Sequence, residues 1–120
     1  MHELSLMQGI LDSITPVARE NGATRVTEVK LTIGEMTQVV DEAMRFAWDA
    51  LTEGEPMYEG GTLVLNYVKP KSRCLDCGTE FSHDRYHLMC PECSSRCTMV
   101  IEGKEMHIDS IEVDTPEDEE

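Results

Sequence analysis

The chain has 120 residues, with 10 Lys and Arg against 24 Asp and Glu, a formal net charge of -14. That length suits one small domain plus a short module, and that acidity makes nucleic acid an unfavourable partner. No apolar run reaches the roughly 18 residues a membrane span requires, and nothing at the start looks like a secretory signal, so a soluble, cytoplasmic chain with no membrane partner is expected.

Met1, His2 and Glu3 set a free amine, one imidazole and backbone amides side by side. Nickel(II) and copper(II) favour square-planar nitrogen sets and bind amides that have lost their protons, whereas zinc prefers a tetrahedron. His2 is therefore a candidate nickel anchor, with a frayed terminus as the ordinary alternative. Next, Leu4, Met7, Leu11, Ile14 and Ala18 recur at three- and four-residue spacing, with Ile10 and Val17 beside them. This predicts a helix from about Ser5 to Glu20 with one apolar face, kinked or broken at Pro16 and ended by Asn21 and Gly22.

Val26 to Ile33 alternates, Val29, Leu31 and Ile33 against Glu28, Lys30 and Thr32, as a strand with one wet face does. Gly34 stops it. Asp41 can cap a second helix running to about Thr52, whose stripe is Ala43, Met44, Ala47, Ala50 and Leu51. Thr62 to Val68 reads as a second strand ended by Pro70. Met106 to Val113 reads as a third, with a phase slip near Asp109 and Ser110 that suggests a bulge. A lone strand is not stable, so the last is expected to return to the first two. The predicted fold is α+β: two helices on a small three-stranded mixed sheet. Residues 1–69 with 99–114 form the main domain, 70–98 are inserted in it, and 115–120 are an acidic tail expected to be disordered.

The inserted segment carries Cys74, Cys77, Cys90 and Cys93, two Cys-x-x-Cys knuckles separated by twelve residues, the spacing of a tetrahedral zinc site. Gly78 and Pro91 supply turn chemistry. Two disulfides would need an oxidising compartment. Four thiolates leave no open coordination position, so the zinc is structural. Leu75, Phe81, Tyr86, Leu88 and Met89 are too few for a core without it. Lys69, Lys71 and Arg73 lead into the knuckles as a short basic run, more often a solvated face than a phosphate site. His83 and His87, between the knuckles, are candidates to replace a thiolate when acid or oxidation changes the site, against the alternative of solvent-facing loop histidines. Cys97 reads as an ordinary free thiol, a spare ligand being the other option. No nucleophile and base pair, phosphate loop or open metal site is present, which disfavours an enzyme.

Met1-His2-Glu3-Leu4-Ser5-Leu6, Leu31-Thr32-Ile33-Gly34-Glu35, the spaced cysteines with Pro91, and Ile111-Glu112-Val113-Asp114 together resemble the HypA/HybF family of hydrogenase-maturation nickel chaperones over nearly the whole chain. Two positions depart from it. Ser94 stands where many relatives carry glycine, and Cys97 is an additional thiol. The resemblance implies a nickel carrier rather than an enzyme, with nickel(II) as exchangeable cargo on the His2 imidazole and amide, the Met1 amine and the Glu3 amide, with the Glu3 carboxylate assisting. It implies structural zinc on Cys74, Cys77, Cys90 and Cys93. It also implies a partner GTPase, delivery to the large subunit of nickel-iron hydrogenase, and in some organisms service to urease maturation. The alternative is a zinc-module protein acting only as an interaction adaptor. Monomer and homodimer both remain open.

Overall fold

The computed structural model describes residues 2–116; Met1 and the tail residues 117–120 lie outside it. The fold is α+β, with two α-helices and two small sheets among the described residues. No helix among the described residues is long and apolar enough to cross a membrane. The chain forms two compact units, one holding the residues up to Leu31, Val39–Leu65 and those from Ile108, the other Thr32–Gln38 and Asn66–His107.

Helix α1 (Glu3–Glu20) runs through Pro16 without breaking into two pieces. A proline there leaves only the Asp12 carbonyl without its helical donor, and Asp12 is exposed, so water can serve it. The buried face is Met7, Ile10, Leu11, Ile14 and Ala18, as the periodicity requires. Its first turn corrects the sequence reading: Leu4 is 54% exposed, and Glu3, a carboxylate, is 7% exposed in its place. Helix α2 (Asp41–Thr52) buries Met44, Ala47 and Trp48, while Ala50, expected in the stripe, is exposed. Asp41 is not the N-cap. Val40 holds that position, and Asp41 instead pairs with Arg45 one turn on, 2.9 Å away.

Strands β1 (Arg25–Gly34), β2 (Thr62–Val68) and β6 (Met106–Asp114) form one sheet in the order β2-β1-β6, so the last strand does return to the first. Val26, Val29, Leu31 and Ile33 of β1 are buried to within 1%. Asp114 is the last residue of β6, where its carboxylate meets Arg25 at 3.1 Å.

A second sheet, absent from the sequence reading, joins β4 (Glu80–Ser82), β3 (Lys71–Cys74) and β5 (Thr98–Glu102) in the order β4-β3-β5, antiparallel throughout. Gly34 ends β1 because backbone comes too close for a side chain. A Cβ there would lie 2.2 Å from the Gly103 carbonyl group, while the Gly34 amide donates to the Glu105 carbonyl at 2.8 Å and that of Met36 to Gly103 at 2.9 Å.

Candidate metal centre

Both knuckles are closed by the same backbone geometry. In the first, the Gly78 amide donates to the Cys74 carbonyl at 2.9 Å and the Cys74 amide to Thr79 at 2.8 Å. In the second, Ser94 donates to Cys90 and Cys90 to Ser95, each at 2.9 Å. The fourth residue after each leading cysteine is left-handed: φ is +79° at Gly78 and +61° at Ser94. That conformation is free to glycine and strained for other residues, so the departure at Ser94 has a conformational cost. The Leu75 amide donates to the Cys97 carbonyl at 2.8 Å, tying the first knuckle to the start of β5.

These turns bring Cys74, Cys77, Cys90 and Cys93 together with every sulfur within 4.8 Å of the others. Cys74 and Cys93 are 3.5 Å apart and Cys77 and Cys90 3.6 Å, too far for a disulfide, whose sulfurs lie about 2 Å apart. A tetrahedron of thiolates about 2.3 Å from zinc has edges of about 3.8 Å. The quartet fits that ion.

Cys74 and Cys90 are buried with Phe81, and Cys77 and Cys93 face solvent. The two exposed thiols shift in opposite directions. The hydroxyl and then the amide of Thr79 pull Cys77 down to about 6, with the hydroxyl 3.2 Å from its sulfur. The Ser95 amide pulls Cys93 the same way. Proximity to Cys74, desolvation, Cys77 and Cys90 together outweigh it and push Cys93 up to about 12. Crowded thiolates repel one another, and a divalent cation among them reverses that repulsion.

The rest of this unit has little core. Of its expected apolar residues only Phe81 is buried; Leu75, Tyr86, Leu88 and Met89 are exposed. Lys71 and Arg73 of the basic run both pair with Glu80 across β3 and β4, at 3.4 and 2.6 Å, which leaves the run little free charge for phosphate.

The other candidates are not in the quartet. His83 Nε2 meets the hydroxyl of the fully buried Ser72 at 2.6 Å, and Nδ1 lies 2.5 Å from the Asp84 carbonyl, which can only accept. The Nδ1–H therefore donates to that carbonyl, and the Ser72 hydroxyl serves Nε2. His87 Nδ1 is 2.7 Å from the Asp84 carboxylate, and its side chain is 80% exposed. Cys97 is exposed, and its amide donates to Ser95 Oγ at 3.0 Å.

At the other metal-site candidate, Met1 lies outside the described residues. His2 is exposed and takes the N-cap position of α1, its carbonyl accepting from the Leu6 amide at 2.8 Å. The next amides, beginning with Glu3, precede the first helical donor and have no carbonyl of their own helix to bond. The Glu3 carboxylate accepts from the Val40 amide at 3.0 Å, where the N-terminal end of α2 also favours an anion. This bond, then one from its own amide, holds the Glu3 carboxyl below the usual range. Sequence reasoning had no signal for it, because the two residues are far apart along the chain.

The family model for "Hydrogenase/urease nickel incorporation, metallochaperone, hypA" matches residues 1–113. The Hydrogenase maturation factor HypA of Chlorobium luteolum is 38% identical over 114 residues, covering 95% of this chain and 97% of that protein. The factor of the same name from Acidithiobacillus ferrooxidans is 40% identical over 114 residues, covering 95% and 100%. The solution structure of the Ni metallochaperone HypA from Helicobacter pylori matches this fold with a TM-score of 0.68 at 23% identity, covering 96% of this chain and 99% of that one. The chain belongs to the HypA family of nickel-incorporation metallochaperones.

Proposed function

We propose that this chain carries nickel(II) on its N-terminus and hands it on, with a partner GTPase, to the large subunit of nickel-iron hydrogenase, and to urease maturation where that enzyme is present. The carrying observation is the state of the first turn. His2 is exposed, and the Glu3 amide lies before the first helical donor, bonded to the residue's own carboxylate rather than to a helical carbonyl. The cargo set is the Met1 amine, the His2 amide and imidazole, and the Glu3 amide, a nitrogen square suited to nickel(II). The Glu3 carboxylate, in contrast, is engaged with Val40. Its role is to hold the first turn in place while the amide does the binding. A site on an open terminus has few contacts to break, which suits a metal that must leave.

Zinc is the resident ion, on Cys74, Cys77, Cys90 and Cys93, and supplies the module's missing core. The two metals divide between the unit that begins the chain and the unit of the knuckles. Unlinked cysteines accord with a reducing, cytoplasmic compartment. Of the two histidines proposed for exchange at zinc, His83 would have to give up Ser72 and Asp84, whereas His87 gives up only an exposed pair. His87 has less to give up.

The test is calorimetric nickel titration of protein with a native N-terminus. One exchangeable nickel beside one zinc is expected, lost in His2→Ala and weakened by one added N-terminal residue, with the fold intact in both. Wild-type nickel affinity in both variants would move the site elsewhere. Zinc alone, with no response to nickel, would leave the interaction adaptor.

A further inference from the structure

The outer side of α2 and the loop after it form a feature the metal chemistry does not use. Phe46 is 72% exposed at the rim of an open groove of about 650 Å³. The groove's apolar wall is Trp48 and Tyr58, whose rings meet edge to face with centroids 5.7 Å apart. Its charged lining is Asp49, Glu53 and Glu59, all exposed, and none of these carboxylates has a cationic partner among the described residues. The guanidinium that reaches Glu59, that of Arg25, bonds its backbone carbonyl and the Asp114 carboxylate, both at 3.1 Å.

The placement of these acids is unfavourable to the fold itself. α2 has no basic residue in its last turn. Asp49 lies in that turn and Glu53 is the C-cap, where the helix already presents its negative end, and as an i, i+4 pair of like charge they repel. α1 shows the ordinary arrangement, with Arg19 in its last turn. An acidic cluster around an exposed aromatic ring is complementary to a segment that brings cations together with an apolar side chain.

We propose that this groove docks a segment of a partner protein that is cationic and carries an apolar anchor, the anchor packing on Phe46 beside Trp48 and the cations facing Asp49, Glu53 and Glu59. The site is independent of the nickel reading and stands whether or not the N-terminus holds metal. It lies on the second helix, a surface with no role in holding either ion.

Trp48 is the single tryptophan of the chain, so its emission reports on the groove. The full chain is titrated with a short synthetic peptide carrying lysines around a central leucine, and with versions that have glutamate for lysine or serine for leucine. The lysine–leucine peptide should give a saturable Trp48 response that weakens as salt rises, and both altered peptides should fail. Phe46→Ser should weaken binding about tenfold, the loss expected for one well-buried anchor. Asp49→Lys with Glu53→Lys should weaken it further and also raise the melting temperature, since it removes repulsion at the helix end. The control is Asp12→Lys with Glu20→Lys, the same change in net charge on α1, which should shift affinity by less than about threefold. The proposal is overturned by the absence of a saturable response, by equal losses in the groove and control variants, by wild-type affinity in Phe46→Ser, or by light scattering that shows the chain pairing with itself through Phe46.

Discussion

The two knuckles differ by one residue at the point where their geometry is most demanding. Both turn through the same backbone bonds and both need a left-handed residue after the second cysteine, yet one has Gly78 and the other Ser94. The N-terminal turn is different again, since one side chain, the Glu3 carboxylate, anchors it through the Val40 amide and the exposed His2 precedes it. In the quartet, two closed turns bring four sulfurs together around one point; at His2, the proposed cargo would have to gather its own ligands. A closed set suits an ion that stays and folds its module, and an open terminus suits one that leaves.

The largest expected effect follows from the knuckle unit's thin core of Cys74, Phe81 and Cys90. Chelating zinc should unfold it, since structural zinc supplies on the order of 10 kcal/mol in small modules. NMR should show its dispersed amides collapse while Trp48 and the α1–α2 packing persist. Unchanged knuckle signals after zinc removal would mean the module folds by itself.

A smaller effect compares the knuckles directly. Ser94→Gly should stabilise the second by up to about 1 kcal/mol, and Gly78→Ser should weaken the first by a similar amount. Beyond its chain neighbours, no described atom lies within 4 Å of the position a Cβ would take at Gly78, so the exchange isolates backbone strain. Competition with a chelator should rank Ser94→Gly above wild type and Gly78→Ser below it.

The smallest effect concerns Glu3. Its folded-state pKa is depressed, chiefly by the Val40 amide, so its contribution is complete above the ordinary glutamate range and is lost as pH falls through the depressed value. Thermal melts from neutral to acid pH should show Glu3→Gln already less stable at neutrality, with the difference from wild type shrinking as the pH drops. A constant difference would mean the carboxylate's charge is not what holds the turn.

The cysteine spacing, both helices and the strands β1, β2 and β6 were legible because each has a period or motif that local sequence carries. Glu3 was not: a helical face read from apolarity alone puts Leu4 inside, and only the distant Val40 amide makes a buried carboxylate favourable there. Trp48 was missed because the stripe was drawn through the alanines of α2. Strands β3, β4 and β5, three to five residues each, are too short to show alternation and depend on the knuckles to bring them together. The histidines between the knuckles show the same limit, since sequence gives their nearness along the chain but not the Ser72 hydroxyl that His83 engages.

The most direct test of the division between resident and cargo metal is X-ray absorption at the nickel edge on zinc-loaded protein with a native N-terminus. The account predicts nickel surrounded only by nitrogen and oxygen, while the zinc edge retains its four sulfurs. Sulfur in the nickel shell would place the cargo among Cys74, Cys77, Cys90 and Cys93 and contradict it.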